Sequence, residues 1–229
     1  MPSTKRIVCL ANSYKPPKGR CFAGRELLAD GAFGPWIRPI SARATAEVSF
    51  AEYKYKNNTT PKLLDIIDIP MLKAVPHNHQ TENYLLDPKQ WWTKSAEFPW
   101  DHLEKICEGP ESIWINNDST GQGIFDCVSA AEAATLDSSL MLIKPASFTV
   151  QIGTSVWDGV AKKTYRADFE YKKTHYNFSL TDPRARDVYS KEGSYQLKNV
   201  YLCISLTELF DRDNRCHKLV AAILQNPAL

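Results

Sequence analysis

The sequence predicts a mostly β protein with short helices, and three observations carry that prediction. Residues 165–171 (YRADFEY) alternate in polarity and are answered, across Lys172-Lys173-Thr174, by residues 175–181 (HYNFSLT). Two such runs about a short turn signal a hairpin. Residues 197–206 and 217–224 are apolar runs of strand length. Helical periodicity, by contrast, is confined to a few short stretches.

Taken in order, residues 5–11 and 36–40 read as strands. Residues 63–75 read as a long strand interrupted by Pro70, which places an edge or a bulge there. Residues 87–95 are expected to be helical, with Asp87 as the cap and Pro88 behind it. A second helix is expected over 100–107, where Trp100, Leu103 and Ile106 share one face. Ser129-Ala-Ala-Glu132 is a capping-box pattern opening a third, through Leu136. The second half is more regular. Residues 139–152 form a strand broken at Lys144-Pro145, and the 165–181 hairpin follows. Asp182-Pro183 has a cap followed by proline at the first helical position, leading into a helix at 184–189 that ends at Gly193-Ser194. Strands at 197–206 and 217–224 complete it. Three strands, a short helix and two strands is the order of the OB-fold, a five-stranded Greek-key barrel.

The chain has 229 residues, 43% hydrophobic and 24% charged, which suits a globular protein and excludes a disordered one. No apolar run approaches the roughly 20 residues needed to span a bilayer as a helix, and the N-terminus lacks the apolar core of a signal peptide. No membrane association is therefore expected. The six cysteines contain no Cys-x-x-Cys pair and none sits at zinc-finger spacing from a histidine. Reduced thiols and a cytoplasmic location are the corresponding expectations. Net charge is only +2, but residues 1–60 carry ten Lys/Arg against four Asp/Glu, and residues 61–140 carry five against thirteen. A basic opening beside an acidic middle suits one anion-attracting surface rather than wholesale wrapping of DNA.

The sharpest candidate site lies in residues 11–25, read as a loop leaving the first strand, which gathers Asn12, Ser13, Lys15, Arg20 and Arg25 around glycines. Glycines admit backbone amides to an anion, and the cations supply charge. Trp36 and Arg38 follow; on a strand they point to one face. An aromatic beside a guanidinium can hold a nucleotide by stacking and phosphate contact. Arg20, Arg25, Trp36 and Arg38 are expected to line one electropositive concavity, with Asn12 and Ser13 at its rim and Gln80 or Asn83 nearby to brace a pocket or read a base edge. A salt bridge from this cluster to Glu82 is the alternative compensation for the crowded cations. His77 and His79 lack a convincing third ligand, and no catalytic motif is present, so no metal, cofactor or catalytic residue is assigned.

The segments at 6–13, 19–24 and 36–41, with Leu64-Asp-Ile-Ile-Asp-Ile-Pro70, Gln80-Thr-Glu-Asn83 and Thr181-Asp-Pro183, resemble the prokaryotic dual OB-containing domain family. The resemblance runs over nearly the whole chain. It implies two packed OB-like five-stranded barrels: residues 1–125, with helical insertions, and residues 126–229. It also implies nucleic-acid or nucleotide recognition, alongside conflict or antiviral defence genes and with other proteins of the same gene system as partners. The leading expectation is a non-enzymatic module binding single-stranded nucleic acid or a nucleotide-like ligand. A nuclease or nucleotide-processing enzyme, and a protein-binding adaptor, are the alternatives.

Overall fold

The computed structural model describes residues 3–16, 18–157 and 159–226, with Trp157 described by its backbone alone. Two units emerge. One takes the chain up to Ile106 together with Asp137–Ser139; the other takes Cys107–Leu136 and the chain from Leu140 onward. The division thus falls after residue 106, where the sequence reading divides the chain after 125.

The first unit holds β1 (Ser3–Lys15), β2 (Gly19–Leu27), β3 (Phe33–Ile40), β4 (Asp65–Ala74), β5 (Asn83–Leu86) and β6 (Thr93–Glu97). Their pairing runs β1-β2-β3-β5-β4, and β4 pairs back to β1, so five strands close a ring; β6 adds to β4. All pairs in that ring are antiparallel except β3 with β5. Ile7, Phe22, Ile37, Ile67, Ile69 and Trp92 form the core. The segment at 11–25, expected to be a loop, is mostly hairpin: β1 continues to Lys15, with Tyr14 opposite Arg20 and Lys15 opposite Gly19. Pro17 lies outside the described residues. Gly24 is there for packing, because a Cβ on it would sit 2.0 Å from the Val8 carbonyl oxygen.

The helix expected at 87–95 is absent. Asp87 instead accepts hydrogen bonds from Lys89 N and Gln90 Nε2 in a turn, and 93–97 is strand β6. Residues 93–97 are exposed throughout and hydrogen-bonded along β4, so pairing with a neighbour decides their conformation. Pro70 lies within β4, and the expected irregularity falls just after it, between Met71 and Lys73. The second expected helix is a 3-10 helix, Trp100–Lys105, with Leu103 and Ile106 buried. One short helix, α1 (Phe50–Tyr53), stands between β3 and β4; Ser49 and Glu52 form its capping box.

The second unit contains β7 (Cys127–Ser129), α2 (Ala130–Ala133), β8 (Leu140–Ile143), β9 (Ser147–Trp157), β10 (Val160–Tyr171), β11 (Thr174–Leu180), α3 (Pro183–Val188), β12 (Gly193–Leu197), β13 (Val200–Phe210) and β14 (Arg215–Gln225). The sheet order is β12-β9-β10-β11-β14-β13-β8, with β7 on β14. Since β8 and β9 are one stretch of chain bent at Lys144-Pro145, the path from β9 round to β8 closes on itself. Its β11–β14 pair is parallel, like β3–β5 in the first unit. Both units therefore share one ring: first strand to second, second to third, third parallel to fifth, fifth to fourth, fourth back to first. That is the five-stranded Greek-key barrel expected from sequence, with β12 and β7 as additions. Ala167, Phe169, Tyr176, Phe178, Leu202 and Val220 fill its interior, while Arg166, Asp168, His175 and Asn177 alternate onto the other face. Asp182 caps α3 as expected: its carboxylate accepts from Arg184 N and from Ile223 N, each at 2.9 Å.

Candidate functional site

In the first unit, Ile37 points into the core, so Trp36 and Arg38 share the opposite face of β3. That face is not open. Arg38 is only 3% exposed. Its Nη2 donates to Ser139 Oγ at 2.8 Å and lies 3.1 Å from Glu82 Oε1, to which Ser139 also donates. Asn83, opposite Arg38 across the parallel β3–β5 pair, donates from Nδ2 to Gln80 Oε1 at 3.3 Å. Glu82 Oε2 and Asn83 Oδ1 are buried and accept no hydrogen bond among the described residues. Arg38, Gln80 and Asn83 are thus brought together as a buried polar knot around Glu82. Charge compensation for Arg38 is internal, which is the alternative the sequence already offered.

The other expected residues lie along the β1–β2 hairpin and its neighbours. Arg25 Nε donates to the Gly34 carbonyl at 2.9 Å, and its guanidinium stands 6.0 Å from the buried Trp36 ring. Asn12 Nδ2 donates to the Pro61 carbonyl at 3.2 Å, and Ser13 is buried. Lys15 and Arg20 are half-buried near the tip, facing each other's strand across the turn. Arg20 exchanges two backbone hydrogen bonds with Val48, both at 2.9 Å, which ties the tip to the segment leading into α1. Glu47 is the acidic group here. A hydrogen bond from Thr45, aided by Arg43 and Lys15, holds its carboxyl below the ordinary range.

What the sequence reading missed stands next to this tip. Phe50, the first residue of α1, is 51% exposed, and Trp91 is 46% exposed. Lys54 Nζ lies close to both rings, 5.2 Å from the Trp91 centroid and 5.8 Å from that of Phe50. Asn58 Oδ1 holds the ammonium at 2.8 Å. The rings are rooted in the core: Phe50 meets Tyr53 edge-on at 5.7 Å, Tyr53 meets Phe22 at 5.1 Å, and Phe22 meets Trp92 at 5.0 Å. A parallel bridge between Tyr55 and Trp92 fixes the two segments to each other. Trp92 is buried and its neighbour Trp91 is turned outward. The doublet at 91–92 was the available signal, since two adjacent tryptophans on extended chain must face opposite ways.

The second unit carries a different polar cluster. Arg166 donates to Asn177 Oδ1 at 2.7 Å and to Ser179 Oγ at 2.9 Å, and it pairs with Asp126 at 3.3 Å. Lys218 is fully buried, donating to the Ile115 carbonyl at 2.7 Å and Asn116 Oδ1 at 3.0 Å. Burial pushes its pKa down to about 8, against the pull of nearby Asp126 and Glu132. All six cysteines are free thiols, and burial raises the pKa of Cys127 to about 11. Among the described residues, no three His, Cys, Asp or Glu side chains are placed to hold a metal ion, and no helix is long and apolar enough to cross a membrane.

Comparison with curated proteins finds no match. Among solved structures, one described as a murine DNA binding protein bound with ds DNA aligns with 99% of this chain and 100% of its own, at 7% identity and a TM-score of 0.34. At that score the likeness is too slight to bear on fold or function. A family model described as the dual OB-containing domain matches residues 5–223, a span that takes in nearly all of both barrels. The chain belongs to the dual OB-containing domain family.

Proposed function

We propose that the first unit recognises single-stranded nucleic acid. The observation that carries this reading is the pair of exposed rings, Phe50 and Trp91, each close to the Lys54 ammonium beside the cationic hairpin tip. Unpaired bases stack on exposed aromatic faces, while lysine and arginine neutralise the backbone that joins those bases. Lys54 supplies a charge within reach of both rings. Lys15, Lys18 and Arg20 extend the positive track along the hairpin, and half-exposed Tyr14 offers a further ring. A duplex keeps its bases stacked on one another, so the rings have no purchase on it. No metal or cofactor is needed for such binding. The family resemblance extends the proposal to a protein of a prokaryotic conflict or defence system, working with other proteins of that system, and the six free thiols suit a cytoplasmic location.

Fluorescence anisotropy with labelled oligothymidylate, single-stranded and annealed to its complement, tests the reading. Trp91→Ala and Phe50→Ala are each expected to weaken single-strand binding by about 1–3 kcal/mol, the worth of one stacked base. Duplex binding should be weaker and insensitive to either change. An intact protein that ignores the single strand at low salt, or binds it equally well without the rings, would overturn the proposal.

A further inference from the structure

We propose that the segment 107–136 is an internal acidic ligand that masks a second polyanion-binding face on the barrel of the second unit. This segment holds five Asp/Glu and no Lys/Arg, whereas residues 140–229 carry thirteen Lys/Arg against nine Asp/Glu. Its carboxylates meet cations of the barrel. Asp126 Oδ2 lies 3.3 Å from Arg166 Nη2, Asp118 Oδ2 lies 3.0 Å from Arg215 Nε, and Glu111 reaches Lys172 at 3.9 Å. A carboxylate on a guanidinium occupies the donors that a phosphate would otherwise take.

The location matters as much as the charge. Arg166 and Asn177 lie on the second and third strands of the ring, β10 and β11, on the side facing away from the core. That is the face OB barrels offer to oligonucleotides. The segment pairs beside β11 as an added strand would, with Ile124 and Asn177 exchanging two backbone hydrogen bonds, each at 3.2 Å, and from that edge Asp126 reaches Arg166 on the outer face. Close approach is built in at Gly123, where a Cβ would stand 1.9 Å from Asp126 Oδ2 and 2.6 Å from Arg166 Nη2. Two bonds from Lys218 pin the segment at residues 115 and 116, and Ile113 is buried in the barrel core. The mask is therefore a fixed part of the unit, and polyanion binding falls to the first unit alone.

The test uses the full chain carrying Phe50→Ala and Trp91→Ala, which removes the ring platform, with and without Glu111→Gln, Asp118→Asn and Asp126→Asn. The probe is a fluorescein-labelled oligothymidylate, titrated across a salt series. Unmasking Arg166, Arg215 and Lys172 should tighten binding at least tenfold at low salt. It should also steepen the dependence of log K on log salt by about 2, at roughly 0.7 per phosphate neutralised on a single strand. A variant that unfolds cooperatively on heating, yet binds no better than its parent, overturns the mask. Asp126 is buried, so the pair Glu111→Gln and Asp118→Asn serves as the second variant; both carboxylates are at least a third exposed. Its slope should steepen by about 1.4 on the same per-phosphate basis, and an unchanged slope is equally fatal. The outcome is separable from that of the ring platform, which is read from the loss of binding in otherwise unaltered protein.

Discussion

Arg38 and Glu82 form an ion pair in which both side chains are almost wholly out of water. Removing one partner of such a pair leaves a charge with nothing to offset its desolvation, and that costs about 3–5 kcal/mol. Arg38→Met is therefore expected to lower unfolding free energy by that order in a denaturant titration. Adding Glu82→Met should recover most of the loss, because two apolar side chains of similar volume replace the pair without a buried charge. A single-site loss that the second change does not repair would show that Arg38 acts through packing alone. The alternation placing Trp36 and Arg38 on one face was legible from sequence, as was Glu82 as an internal counter-charge. Whether that face was open or covered was not, since Ser139, a hundred residues away, completes the knot. The Phe50–Lys54–Trp91 cluster was hidden for the same reason: two of its members are local, but the third arrives through the core pairing of Tyr55 with Trp92.

The β10–β11 hairpin turns on two lysines, Lys172 and Lys173, with φ of 49° and 64°. Two consecutive left-handed residues make the tight turn whose twist matches antiparallel strands, and asparagine-glycine is its usual sequence. A lysine in that region carries a steric cost that glycine does not. Lys173→Gly is thus expected to raise the thermal stability of the protein by about 1 kcal/mol, less the glycine's greater freedom when unfolded. A fall in midpoint would mean that this lysine makes a contact outweighing the strain. The same hairpin shows why the second barrel was readable: Phe169, Tyr171, Tyr176 and Phe178 alternate inward, and nothing non-local is needed to see it. Strands β2 and β6 were missed because their sequences, GRCFAGREL and TKSAE, have no clean two-residue period. The first is held by β1 and β3 on either side, the second by β4 alone, and neither partner can be inferred from the segment itself.

Across the whole chain, the nearly neutral total conceals a division. The first unit has fifteen Lys/Arg against twelve Asp/Glu, and the second has thirteen against fourteen. The acidic middle seen in the sequence does not form a domain: much of it belongs with the second barrel and offsets that barrel's cations. The first unit therefore carries the net positive charge, and on the proposed reading a polyanion meets it at Lys15, Lys18, Arg20 and Lys54. Four such contacts set an expected salt dependence for the native protein, with log K falling by about 3 per tenfold rise in salt. A slope near zero in the same titration would mean that binding, if seen, owes nothing to those cations.

The chain passes between its units at residues 106/107, 136/137 and 139/140. The short return at Asp137–Ser139 supplies the hydroxyl that joins Arg38 to Glu82. No single recombination breakpoint yields an intact first barrel. A gene fragment ending after residue 106 encodes all six of its strands but leaves the guanidinium and carboxylate without Ser139, and a fragment long enough to include Ser139 carries part of the other barrel's sheet with it. Beads on a string can be parted by one cut; these two barrels, threaded by the same chain three times over, cannot.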